Sequence, residues 1–140
     1  MSLLLDTNVL SEGIKPAPDH RVQRWLDQVD EDFAFISVVT LAELRRGAER
    51  LAHGVRRRRL EEWISSDVRA RFAGRILPVD EDIADHWGHL VALSESIGRR
   101  IGAMDGFLAA TADRHNLTLV TRNVADFAPL GFSIINPWES

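Results

Sequence analysis

The chain has 140 residues, a net charge of −4 and no cysteine. The length suits one domain able to fold without a disulfide or structural metal, and the missing cysteines exclude a disulfide scaffold, a thiol nucleophile and a cysteine-type zinc site. With 45% hydrophobic and 27% charged residues, disordered, collagen-like and coiled-coil classes are excluded as well. The charge is unevenly placed: residues 45–75 hold ten arginines against four acids, while the remainder is strongly acidic. A basic segment on an acidic protein suits a polyanion meeting an acidic pocket, and equally suits two solvated helix faces.

In chain order, Leu3-Leu4-Leu5 reads as a buried strand, and Asp6-Thr7-Asn8 as the start of a helix. No basic segment precedes this apolar run. The longest apolar stretch, Phe33–Val39, is interrupted by Ser37 and far below the roughly 20 residues of a membrane span. A cytoplasmic protein without membrane contact is expected. Pro16–Asp19 is a loop, and Val22, Trp25, Leu26 and Val29 recur at helical spacing. Phe33–Ile36 is a second strand, followed by a helix from Ser37–Thr40 to about His53. An arginine-rich helix runs from Val55 to about Phe72. Ile76–Val79 is a short strand, and its Pro78 suggests an edge position or a strand end. Asp80-Glu81-Asp82 opens a helix with Ile83, Trp87, Leu90, Val91 and Ile97 on its buried face. Ala103–His115 is the next helix, and Leu117–Thr121 and Phe132–Ile135 are the last strands.

Strands alternating with helices predict an α/β fold with a mostly parallel sheet, in which chemistry sits beyond the carboxyl ends of the strands. That rule singles out four acids. Asp6 follows the first strand, Glu43 lies in the helix after the second, Asp126 lies beyond the fourth, and Asp105 stands near the start of an alanine-rich helix. Each also has an ordinary reading: Asp6 as a helix cap, Glu43 as a capping-box partner of Thr40, Asp105 as a first-turn acid, and Asp126 as a turn residue. Taken together, carboxylates converging on one sheet edge repel unless a cation joins them. Hard oxygen donors without a cysteine or histidine cluster favour Mg²⁺ or Mn²⁺.

These residues carry a resemblance. Leu4-Leu5-Asp6-Thr7-Asn8-Val9-Leu10-Ser11, Ser37-Val38-Val39-Thr40-Leu41-Ala42-Glu43-Leu44, Met104-Asp105-Gly106-Phe107-Leu108-Ala109-Ala110-Thr111-Ala112 and Leu119-Val120-Thr121-Arg122-Asn123 resemble, in order, the four motifs of PIN-domain proteins. Phe72–Pro78 and Asn136-Pro137-Trp138 resemble the FitB branch of the VapC toxins. The resemblance spans essentially the whole chain, so it implies a single PIN-like domain over residues 1–140. It implies a three-layer α/β/α arrangement around about five short, mostly parallel strands. For function it implies a Mg²⁺-dependent endoribonuclease, with Mn²⁺ able to substitute, acting as the toxin of a toxin–antitoxin pair. The partners implied are an RNA substrate, a second copy of the chain, and a small VapB- or FitA-like antitoxin that itself binds DNA.

The family's acids fall on Asp6, Glu43 and Asp105. Asp6 and Asp105 are implied as direct metal ligands, and Glu43 as a further ligand or one that orients water. Many relatives carry aspartate where this chain has Asn123. Asn123 brings no charge, and Asp126 three residues on is the alternative source of a fourth carboxylate, so one metal or two stays open. Thr7, Asn8, Thr121 and Asn123 are supporting polar residues. Two competing readings remain: a catalytically weakened PIN module that acts mainly by binding an antitoxin and modulating its DNA binding, and a phosphohydrolase using Asp6 as nucleophile. The latter is disfavoured because no second aspartate stands two residues after Asp6. Arg56–Arg59 reads as an RNA-phosphate contact, as a solvated face paired with Glu61 and Glu62, or as a contact with an acidic antitoxin segment.

Overall fold

The computed structural model describes residues 1–139. In order these are β1 (Leu3–Leu5), α1 (Thr7–Gly13), α2 (His20–Gln28), β2 (Ala34–Ser37), α3 (Val38–Glu49), α4 (Val55–Glu62), α5 (Arg69–Arg71), β3 (Ile76–Leu77), α6 (Glu81–Ser96), α7 (Ala103–Arg114), β4 (Thr118–Val120), α8 (Val124–Phe127) and β5 (Ile134–Ile135). A π-helical stretch, Trp63–Val68, joins α4 to α5, so the predicted arginine-rich helix is one rod with a widened middle. Short 3₁₀ turns cover Glu31–Phe33, Ala128–Leu130 and Pro137–Glu139.

The strands form one sheet in the order β3-β2-β1-β4-β5, and every pairing is parallel. β1 is central, between β2 and β4. The strand alternation sorts the core into two halves. Leu3, Leu5, Ile36 and Val120 face α1, α2, α3 and the helix starting at α4, whereas Leu4 and Leu119 face α6 and α7. This is the predicted three-layer α/β/α arrangement.

β3, β4 and β5 are shorter than the apolar runs that announce them, and β2 is shifted one residue along. Phe33 belongs to a 3₁₀ turn and is exposed, Val79 lies beyond β3, and Phe132 lies before β5. Ile97 is also exposed: it caps α6 instead of facing the core, because the helix stops at Ser96 and Gly98 turns the chain away with positive φ.

Helix α7 lies close to its neighbours because it is built of small residues. Gly106, Ala109, Ala110 and Ala112 are buried. A Cβ at Gly106 would stand 2.7 Å from Trp87 Nε1 and 3.2 Å from Val91 Cγ2, so α6 can approach only a glycine. Trp87 donates to the Ala103 carbonyl at 3.0 Å and stacks on Phe107, which fixes the first turn of α7 and with it Asp105.

Candidate active site

The parallel sheet directs its five strand ends to one edge, and the sequence places polar residues at the exits of β1 and β4. Asp6 is the first residue after β1. Its N–H continues the ladder to the Val120 carbonyl at 2.9 Å, and its side chain caps α1. Asp6 is 4% exposed. One carboxylate oxygen accepts from the Thr7 N–H at 2.7 Å; the other accepts from the Thr121 hydroxyl at 2.8 Å and the Asn8 amide at 3.4 Å. Burial raises its pKa, outweighing the Thr121 and Thr7 hydrogen bonds that oppose the rise, and the Glu43 charge adds to it.

Thr7 bridges to the second acid. Its hydroxyl donates to Glu43 Oε1 at 2.6 Å and lies 3.4 Å from the Thr40 hydroxyl. Thr7 has one hydroxyl hydrogen to give, and the shorter contact to a carboxylate takes it. The capping-box reading of Glu43 is therefore corrected. Ser37 is the cap of α3, accepting from the Val39 N–H at 3.0 Å, which places Thr40 inside the helix and turns Glu43 toward Thr7.

Asp105 sits half-buried in the first turn of α7. Its carboxyl is pushed up to about 6, first by burial and then by the charges of Asp6, Glu43 and Asp126. The four acids singled out in the sequence are thus brought into one electrostatic neighbourhood, although they come from four segments of the chain. Of the two residues weighed for the fourth position, Asp126, in the first turn of α8, carries a charge that reaches Asp105. Asn123 is the cap residue of α8 without a side-chain capping bond, and its N–H donates to Thr121 Oγ1 at 3.0 Å. Thr121 therefore works in both directions, donating to Asp6 and accepting from Asn123.

Among the described residues, no three His, Cys, Asp or Glu side chains form a ready-made metal-holding group. The donor chemistry nonetheless suits a hard divalent cation. The donors are carboxylate oxygens, two of the acids having raised pKa; Asp6 is held by Thr121 and the Thr7 N–H, and Glu43 by the Thr7 hydroxyl. A cation would remove the repulsion that lifts Asp105.

Beside the acids, Thr7 and Glu43 open into a groove of about 870 Å³ between α1 and the α3–α4 pair. Leu44, Leu51, Val55, Leu60 and Trp63 line it, with Arg56 and Arg59 among its residues. The four-arginine run is thus divided. Arg57, with a side chain only 13% exposed, pairs with Glu49 and Glu61 but not with Glu62, while Arg56 and Arg59 are among the residues lining the groove. The sequence reading passed over Arg122, whose guanidinium lies over the Trp138 ring at 5.2 Å from its centroid. Its place immediately after Thr121, at a strand exit, was the available signal.

The PIN domain model matches residues 3–131. Toxin FitB of Neisseria gonorrhoeae is 40% identical over 137 residues, covering 98% of this chain and 99% of that protein. VapC ribonuclease Y4jK of Sinorhizobium fredii is 39% identical, covering 98% of each. The solved structure of FitAB bound to an IR36 DNA fragment superposes with a TM-score of 0.92 at 38% identity, covering 97% of this chain and 95% of that one. With the parallel sheet and its acid-lined edge, these similarities identify the chain as a member of the PIN-domain family, alongside FitB and the VapC ribonucleases.

Proposed function

We propose that this protein is a divalent-metal-dependent endoribonuclease and the toxin of a VapBC-type toxin–antitoxin pair, working in the cytoplasm as a single domain. The observation that carries the reading is the convergence of Asp6, Glu43, Asp105 and Asp126, with the Asp105 carboxyl lifted to about 6 by burial and, after it, by the charges of the other three. Asp6, Asp105 and Glu43 would hold Mg²⁺ or Mn²⁺. When bound, the ion supplies Lewis-acid stabilisation of charge on the phosphoryl oxygens and lowers the pKa of an attacking water.

The protein's own residues prepare the ground. Thr121 and the Thr7 N–H fix the Asp6 carboxylate, so its orientation costs nothing when substrate arrives. Thr7 aims Glu43, leaving its second oxygen available for a water or a ligand. Asn8 ties the α1 start to the β4 exit through Thr121 and the Arg122 N–H. Asp126 adds negative charge that favours a cation. An unmodified Asp6–Glu43–Asp105 set argues against the weakened-module reading.

The relatives include a toxin, a ribonuclease and a DNA-bound complex of FitAB. By analogy, the apolar groove beside Glu43 is offered as the seat of a segment of a small DNA-binding antitoxin, which would block the acids directly. Exposed Leu93, Ile97 and Met104 around the α6–α7 connection are the apolar residues offered to a second copy of the chain.

The test is cleavage of total cellular RNA by purified protein with Mg²⁺ or Mn²⁺, with EDTA, and with Asp105→Asn in parallel. Discrete fragments that vanish with EDTA and in the variant support the enzyme. A folded protein that binds Mn²⁺ but cleaves nothing even after removal of any co-purified partner refutes it.

A further inference from the structure

Arg122 directly follows Thr121, whose hydroxyl donates to Asp6, so its backbone borders the acid site. Four carboxylates share that site, and an exposed arginine beside them would ordinarily pair with one. Among the described residues, the Arg122 guanidinium is within 4 Å of none. It rests instead over the face of Trp138. The strand register explains the meeting. β4 and β5 are paired at Val120 and Ile135, and the Thr121 N–H bonds the Ile135 carbonyl at 3.0 Å. The chains leaving both strands therefore emerge side by side. Trp138 is 6% exposed, packed into the α1–α2 half of the core, and its N–H donates to Asn136 Oδ1 at 3.0 Å, so it is a fixed platform. The Arg122 N–H is itself 3.5 Å from Asn8 Oδ1.

A guanidinium stacked by its face keeps its in-plane N–H donors free, and those donors match a phosphate in fork geometry. Its side-chain freedom is already restricted by the ring, so less is lost when an anion arrives. We propose that Arg122 contacts a phosphate of the RNA strand next to the scissile bond, and that Trp138 is its mount. The proposal rests on the ribonuclease reading and adds to it a substrate-binding residue and a positioning residue.

The experiment uses a fluorescein-labelled 12-nucleotide oligouridine, with binding read by anisotropy in an Asp105→Asn background at 50–250 mM KCl and 5 mM MgCl₂ throughout. Removing one phosphate contact is expected to reduce the slope of log K against log [salt] by about 0.7 and to weaken binding about three- to tenfold at the lowest salt. Arg122→Ala should show both effects. Arg122→Lys should restore the slope and only part of the affinity, because an ammonium cannot stack as a fork. Trp138→Phe should weaken binding when Arg122 is present and have no effect in Arg122→Ala. In the active protein, Arg122→Ala should raise KM with little change in kcat. Unchanged slope and affinity in Arg122→Ala, with wild-type KM in an enzyme that cleaves, overturns the Arg122 role alone. Equal losses from Trp138→Phe in both backgrounds overturn the mount. Wild-type protein that neither cleaves nor binds RNA overturns both this proposal and the reading beneath it.

Discussion

Asp105→Asn should make the metal-free protein more stable while abolishing cleavage. The carboxyl is pushed up to about 6 from a reference of 3.8, so the folded chain holds this proton more tightly than the unfolded chain does. A raised carboxylate pKa leaves the native state unpenalised below the unfolded value, and stability is lost as pH rises from about 4 through about 6. Two pKa units correspond to a ceiling of about 3 kcal/mol. Asp105 is only half-buried, and solvent screening brings the expectation to about 1–2 kcal/mol. Loss of a favourable first-turn charge at the α7 N-terminus takes back about 0.3–1 kcal/mol. The net expectation at pH 7.5 is a variant more stable by about 1 kcal/mol, or roughly 3 °C for a domain of this size. The assay is urea unfolding in EDTA at pH 7.5 and pH 4.5, at one protein concentration. The gap should be largest at pH 7.5 and shrink markedly at pH 4.5. Adding Mn²⁺ at about ten times its dissociation constant should stabilise the wild type by about 1.4 kcal/mol and reverse the order. A variant less stable than wild type at pH 7.5, or a gap indifferent to pH, would refute the claim that the fold bears the cost of burying the Asp105 charge beside the other acids.

Thr121→Val keeps the shape of a buried side chain but leaves the Asn123 N–H and one Asp6 oxygen short of a partner. Chemical denaturation should show a loss of about 1–3 kcal/mol, with cleavage falling in parallel. Thr7→Val removes the bond that aims Glu43 from a half-exposed position, so RNA cleavage should drop at least tenfold while stability falls by no more than about 1 kcal/mol. A large loss of fold with kcat retained would contradict it. Gly106→Ala offers about 1 kcal/mol of helix propensity. It also drives a methyl into Trp87, breaking or bending the bond to the Ala103 carbonyl. Overpacking of about 1–3 kcal/mol plus the lost bond should win, and thermal melting should show net destabilisation.

Much of this was readable from local chemistry. An apolar triplet followed by Asp6 announces a buried strand and its exit, and the alanine-rich run after Asp105 announces a helix that packs closely. Pro78 correctly marked β3 as an edge, because that strand pairs only with β2. Strand lengths were overestimated because apolarity extends past the residues that can still find a ladder partner. Phe33 and Phe132 are apolar without being paired in the sheet. The opening of α3 was bracketed at Ser37–Thr40 because both offer hydroxyls, and only the end of β2 decides for Ser37 and against the Thr40 capping box. The Asp126–Asp105 coupling and the Arg122–Trp138 stack join residues far apart in the chain. Neither leaves a periodic trace in the sequence, so both depend on the strand order.

That strand order also governs timing. β1 is made first but remains half-finished until β4, more than a hundred residues later, pairs along its other side. Asp6 gains its Thr121 partner at the same step, and Asp105 and Asp126 are themselves among the last third of the chain to be synthesised. A nascent chain whose β4 has not yet paired therefore has no assembled acid edge, whatever helices have already formed on α1–α3. The placement of the central strand thus ties completion of the acid edge to the pairing of β4, a long-range step, and to no earlier local one.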